Sequence, residues 1–333
     1  MTDKTTMVKL GLLGVGHLGN IHLKCLQEIP TIEFIGFYDP NDKAAHKAMD
    51  TYAVPRFTTY DSLLQQCDAV DIVTPTSSHF ELAVQAIKAN KHVFIEKPLA
   101  ATLSEATNLL NLAKQENIKV QVGHVERFNP AFLAVQDIAL QPLFIEAHRL
   151  AMFNPRGTDV SVVLDLMIHD LDLVLSMVNA PLKTLSASGV AVISKNLDIA
   201  NVRLEFENGC VANLTASRIS MKQMRKIRLF QKDAYLSLDL LEKKSQVIQL
   251  FDEPLDTAKI SASLSLQTEE GKKYISVKAP TVHKINAIQM ELASFADCIL
   301  KDTTPKVTVQ DGYNCLALAH RIMEEIEERL IGL

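Results

Sequence analysis

Gly14, Gly16 and Gly19 stand in Gly-x-Gly-x-x-Gly spacing, and an acid, Asp39, follows 20 residues after the last of them. Glycines so spaced let a chain turn tightly, bring its backbone N–H groups up to a ligand and pack a helix close behind. A turn of that kind can hold a pyrophosphate, and a carboxylate at that distance can accept hydrogen bonds from an adenosine ribose. Together they describe a dinucleotide site in which Gly14, Gly16, His17, Leu18 and Gly19 face the phosphates. The carboxylate would repel a 2'-phosphate, which favours NAD over NADP. A purely structural glycine turn is the plain alternative, and the flanking elements decide between the two.

A second set of residues could move a proton. Lys97 and His169 can each take a hydroxyl proton as a hydride leaves the same carbon. Asp165, one helical turn before His169, can hold the imidazole in one tautomer and raise its basicity. Asp165, His169, Asp172 and Ser176 recur at i, i+4, i+7 and i+11, one stripe of an otherwise apolar helix over 160–176. Buried acids and imidazoles are costly unless paired, so this stripe should face a cleft or satisfy itself. A solvated loop lysine and a satisfied core histidine are the plain alternatives for Lys97 and His169.

These groups need elements to hold them. An apolar run from Val8 precedes the glycines, helix formers follow to Glu28, and a second apolar run from Ile32 ends at Asp39, a βαβ pattern. Helix is expected over 42–53, a short extended piece over 56–59, a short helix over 62–66 and a buried strand over 69–75. Parallel sheets bind ligands beyond the carboxyl ends of their strands, which places Thr74, Pro75 and His79 beside the nucleotide. For His79, a local hydrogen bond at a helix start is the alternative. A helix over 81–90 and a strand over 92–95 then deliver Glu96, Lys97 and Pro98 to the same edge. Thr102-Leu103-Ser104-Glu105 is a capping box that opens a helix to about Gln115, and 119–124 is a last strand. Strands and helices thus alternate six times over 1–124, which predicts a doubly wound parallel sheet, an α/β nucleotide-binding domain.

The rhythm changes in 125–333, the expected second domain. A strand over 143–152 and further strands from Thr184 predict an α+β domain with an open, mainly antiparallel sheet, with Asn208-Gly209 as a hairpin turn between 202–206 and 211–216. Residues 252–274 read as a loop or sheet-edge excursion. A helix over 286–300 is followed by one opened by Asp311-Gly312, with Cys315, Ala319, Ile322, Ile326 and Leu330 on its inner face.

Composition narrows the function classes. A chain of 333 residues with 47% hydrophobic and 22% charged residues can bury a sizeable core, and a formal charge of −5 leaves no basic footprint for nucleic acid. Five cysteines without a Cys-x-x-Cys pair suggest reduced, buried thiols and neither zinc nor any other metal. No segment approaches the ~18 apolar residues of a membrane span, and no apolar leader follows a basic start. A cytoplasmic protein acting on a small molecule is expected, with no membrane partner.

The dinucleotide fold, Glu96-Lys97-Pro98, Gly123-His124-Val125-Glu126-Arg127-Phe128-Asn129-Pro130 and Asp165-x-x-x-His169, in that order, resemble the Gfo/Idh/MocA oxidoreductases. The resemblance implies NAD(P)-dependent oxidation or reduction of sugars and polyols, with Lys97 and His169 flanking the reacting carbon. It also implies that Arg127 and Asn129 face the substrate, and that the second domain's sheet forms a homodimer or homotetramer. The run Asn154-Pro155-Arg156-Gly157-Thr158-Asp159-Val160 resembles, more narrowly, the branch that oxidises the 3-hydroxyl of UDP-N-acetylglucosamine, whose ketone an aminotransferase then takes toward lipid A. Arg156 could meet a diphosphate there through its planar fork, a surface loop arginine being the alternative. A reductase of another small carbonyl compound and a non-catalytic nucleotide sensor are the competing readings.

Overall fold

The computed structural model describes residues 7–155, 157–158, 160–253, 262–268 and 271–331. Five strands, β1 (Val8–Leu13), β2 (Ile32–Tyr38), β3 (Ala69–Ile72), β4 (His92–Glu96) and β5 (Val120–Gly123), form an all-parallel sheet in the order β2-β1-β3-β4-β5. β3 and β5 are buried at every position, as strands covered on both faces must be. α1 (His17–Leu26), α2 (Asp42–Tyr52), α3 (Tyr60–Leu64), α4 (His79–Lys88) and α5 (Leu103–Gln115) lie between them in the chain. The Thr102–Glu105 capping box is formed at the start of α5. The chain turns back across β1 between β2 and β3, so the carboxyl ends of β1 and β3 bound the crevice that binds ligands in such sheets.

The short extended piece expected over 56–59 is a single parallel bridge and not a full strand. Arg56 makes one isolated bridge to Phe37, and Thr59 is already the cap of α3, accepting from the Ser62 N–H.

The second sheet contains β6 (Phe144–Leu150), β7 (Leu182–Val190), β8 (Ile199–Phe206), β9 (Val211–Ser217), β10 (Met224–Phe230), β11 (Ala234–Asp239), β12 (Lys244–Phe251), β13 (Ala262–Thr268) and β14 (Gly271–Lys278). Their order is β13-β14-β12-β11-β10-β6-β9-β8-β7, and only β6 and β9 run parallel. Burial alternates along β6, β8, β9 and β11, so one face carries the core. The β8–β9 hairpin turns at Asn208-Gly209, where Gly209 has φ +85° and Asn208 Oδ1 accepts the Cys210 N–H. Residues 262–268 and 271–278, expected within a loop or sheet-edge excursion, are paired strands at the sheet edge. β13 is the edge strand, paired only with β14.

α6 (Pro130–Leu133) is short and capped by Asn129. The expected continuous helix over 160–176 is two pieces: a π-helical turn, Val163–Met167, then α7 (Ile168–Met177). α8 (Ala287–Leu300) and α9 (Val309–Ile331) complete the chain.

By contacts the chain forms two compact units, 1–125 with 286–317, and 126–285 with 318–333. A single cut after 124 therefore does not describe the chain, because Leu292, Phe295 and Ala296 of α8 belong to the core built by Leu10, Leu12, Leu23 and Phe94. Cys315, Ala319, Ile322 and Ile326 of α9 are buried, whereas Leu330, expected on the same face, is half exposed near the helix end.

Among the described residues no helix is long and apolar enough to cross a membrane, and no His, Cys, Asp or Glu cluster could hold a metal ion. All five cysteines are buried and outside disulfides, and burial pushes the Cys67, Cys210 and Cys298 thiols up to about 11.

Candidate functional site

At the carboxyl end of β1 the chain turns through Gly14, whose φ of +89° suits only glycine. Gly16 is the N-cap of α1, with no side chain capping the helix and nothing within 4 Å of where its Cβ would stand. Gly16 and His17 are exposed and Leu18 half-buried, so the first N–H groups of α1 front open space. A Cβ on Gly19 would stand 2.1 Å from the Gly14 carbonyl oxygen, so only glycine lets α1 lie this close to the turn. Asn20 donates to the Val15 and Gly16 carbonyls at 2.6 Å each. Asp39 accepts the Val15 N–H on Oδ2 and the Asn41 N–H on Oδ1, both at 2.8 Å. This open, amide-lined turn beside a carboxylate fits a dinucleotide.

At the next strand end, the Ser78 hydroxyl donates to Thr74 Oγ1 and Pro75 is exposed. His79, expected beside the nucleotide, is instead a buried strut. Its ring nitrogens lie 2.9 Å from the Pro98 and Thr74 carbonyl oxygens, tying the segment after β4 to the end of β3. Burial pushes its pKa below the ordinary value, against the pull of those two carbonyls. Lys97 is half-buried and followed by Pro98 through a cis peptide bond.

Glu96 points inward, 8% exposed, toward a residue the sequence reading passed over. His22 of α1 is fully buried, its Nδ1 2.9 Å from Asp71 Oδ2 and its Nε2 3.1 Å from Glu96 Oε1. The second contact is close enough for charge pairing but lies off the N–H axis. Burial disfavours the imidazolium, yet the two carboxylates more than offset this and hold the ring's pKa well above its ordinary value. Glu96 Oε2 accepts the Lys97 N–H at 3.1 Å.

In the second unit, His169 is the second residue of α7 and half-buried. Asp165 lies in the π turn, where a Cβ on Gly157 would stand 3.3 Å from its Oδ2. The π turn disrupts the expected stripe, because residues there do not advance by 100° each. Asp172 is 1% exposed and forks onto Arg127, with Nε–Oδ2 2.6 Å and Nη2–Oδ1 2.9 Å. Ser176 is exposed, its hydroxyl donating to the Leu173 carbonyl.

Asp170, next to His169, receives two hydrogen bonds from Arg149 of β6, at 3.0 and 2.8 Å, and the third arm of that guanidinium reaches Glu126 at 2.9 Å. Arg149 is 3% exposed, and although burial opposes its charge, Asp170 and Glu126 raise its pKa further.

Asn129, expected at the substrate, is 6% exposed and wholly used in packing. Its amide donates to Glu126 and to the Leu240 carbonyl, and its oxygen caps α6 through the Ala131 N–H. Arg156 lies outside the described residues. The loop beside it is held by Arg218, whose Nη1 and Nη2 donate to the Gly157 and Val160 carbonyls at 2.8 and 2.7 Å.

Residues 8–124 match the oxidoreductase family with an NAD-binding Rossmann fold, and residues 145–236 match the GFO/IDH/MocA C-terminal domain. A UDP-N-acetylglucosamine 3-dehydrogenase of Acidithiobacillus ferrooxidans is 35% identical over 285 residues, 82% of this chain and 90% of that one. The chain belongs to the Gfo/Idh/MocA oxidoreductase family. The solved structure of the same Acidithiobacillus protein superimposes with a TM-score of 0.85 over 97% of this chain and 98% of that one, at 32% identity. A scyllo-inositol 2-dehydrogenase of Bacillus subtilis is 27% identical over 233 residues, 64% of this chain and 68% of its own. A levoglucosan dehydrogenase solved with NADH shares the fold at a TM-score of 0.82 and 18% identity, covering 97% of this chain and 98% of its own.

Sequence reasoning missed His22, Asp71, Arg149, Asp170 and Arg218. A signal existed for the first two: a histidine inside an amphipathic helix and an acid inside an otherwise apolar strand each require a buried partner.

Proposed function

We propose that the protein oxidises a sugar hydroxyl, the 3-hydroxyl of UDP-N-acetylglucosamine or of a related sugar nucleotide, with NAD rather than NADP as acceptor. What supports the substrate is the 35% identity to the Acidithiobacillus enzyme across nine-tenths of that enzyme's length. What supports NAD is Asp39, whose charge disfavours a 2'-phosphate. Gly14, Gly16, His17, Leu18 and Gly19 would hold the pyrophosphate, and Thr74 and Pro75 would border the nicotinamide end.

The nicotinamide, when bound, supplies the hydride acceptor. His169 takes the hydroxyl proton, Asp165 fixes its ring, and Lys97 hydrogen-bonds the reacting oxygen and lowers its pKa. Arg156 would meet the diphosphate. The ketone formed is a substrate for amination. A cytoplasmic homodimer or homotetramer, paired through the second unit's sheet, completes the proposal.

The test is to incubate the protein with NAD or NADP and a panel of UDP-sugars and free polyols, following absorbance of the reduced nicotinamide. Turnover with UDP-N-acetylglucosamine and NAD is expected, and His169→Asn or Lys97→Ala should lower it at least ~100-fold with NAD binding near normal. Silence across the panel, or full turnover in both variants, overturns the proposal.

A further inference from the structure

Lys97 is half-buried at a strand end, and its amide is held by the carboxylate of its own neighbour, Glu96. A glutamate side chain has three rotatable bonds, so this contact is only as firm as whatever fixes Glu96. Two observations show what fixes it. Nε2 of His22 faces Glu96 Oε1 at 3.1 Å, while Nδ1 of the same ring is secured to Asp71 at 2.9 Å. Gly123, the strand partner of Glu96, leaves no spare room: a Cβ there would come within 2.8 Å of Oε1. The ring is itself pinned, edge-on to Phe94 at a centroid distance of 6.0 Å.

We propose that His22 is a positioning residue for Lys97: wedged between Asp71 and Glu96, it fixes the Glu96 carboxylate, whose other oxygen holds the Lys97 amide. This inference rests on the reading of Lys97 as the residue at the reacting oxygen. Its chain of contacts runs β3 to α1 to β4, Asp71 to His22 to Glu96 to Lys97, so that the helix opening the nucleotide turn also sets the lysine. One element thereby aligns both parts of the same half-site. Protonation of the ring strengthens the wedge, since one cation then sits between two carboxylates.

The test uses two variants of the full chain, His22→Leu and Glu96→Gln, and two readouts. The first is amide hydrogen exchange, which needs no substrate. His22→Leu should speed exchange of the Lys97 amide by about tenfold or more, while the amides of Leu10–Leu13 and Val93–Ile95 keep their wild-type protection. The second is steady-state kinetics with nucleotide and UDP-N-acetylglucosamine: kcat should fall about tenfold or more while the nucleotide Kd stays within about twofold.

Glu96→Gln keeps the shape and weakens the charge pairing, so it should give the same pattern with smaller changes. It also serves if His22→Leu does not fold. An unchanged Lys97 amide in the folded variants, or loss of protection spread evenly over all the strands, overturns the proposal. If wild-type protein turns over no sugar nucleotide, the proposed substrate fails. The exchange result still decides the positioning role.

Discussion

Each unit places a candidate proton-handling residue beside a buried acid, and each braces that acid with a buried cation from another element. In the first unit Glu96 precedes Lys97 and is braced by His22; in the second Asp170 follows His169 and is braced by Arg149. The difference lies in the cation. An imidazolium can lose its proton within the range where proteins work, whereas a guanidinium cannot. The first brace is therefore conditional on pH and the second is permanent.

Removing the permanent brace should have the largest effect. Arg149→Met leaves Asp170 and Glu126 buried without their cation and should cost about 3–5 kcal/mol, read by denaturant unfolding. A loss below about 1 kcal/mol would mean that water or Arg225, whose Nη1 lies 3.7 Å from Glu126, takes over the pairing.

The conditional brace should yield a smaller and pH-dependent loss. The folded-state pKa of His22 lies above its unfolded value near ~6.5, so its contribution is complete below that value and disappears as pH rises through the folded pKa. The stability difference between wild type and His22→Leu should thus be greatest near about pH 6 and shrink toward alkaline pH. A difference that stays flat would show the ring to be neutral in the folded protein and erase the contrast.

The smallest effect sharpens the scale. Thr102→Ala removes a capping-box oxygen far less buried than either brace and should cost about 1 kcal/mol, read by the same unfolding measurement. If it matches the loss from His22→Leu at pH 6, that brace adds nothing beyond an ordinary surface contact.

Much of the first unit was legible because its signals are local. The Gly14–Gly19 spacing, the strand expected over 69–75 and observed over 69–72, and the Thr102–Glu105 cap each need only a few neighbouring residues. The same holds for the Asn208-Gly209 turn. What was not legible depends on partners far apart in the chain. Asp172 fitted a functional stripe by spacing, yet pairing with Arg127, 45 residues earlier, settles where it points. The π turn at Val163–Met167 has no periodic signature in so apolar a run, and it undid the spacing argument for that stripe. His79 was placed at the ligand by position along the chain and Asn129 by family resemblance, whereas burial commits them to carbonyls, an amide and a carboxylate of the protein itself. The return of 286–317 to the first unit was hidden for a related reason: an apolar helix face does not say which core it will join.

Asp39 carries one more consequence. Its two oxygens already grip the glycine turn and the start of α2, so the fold's own hydrogen bonds shape the cradle, and the entropy of shaping it is spent during folding and not at capture. Redesigning this position to accept a phosphorylated ribose would loosen the cradle as well as change the charge. Coenzyme choice and loop architecture are thus inherited as one trait.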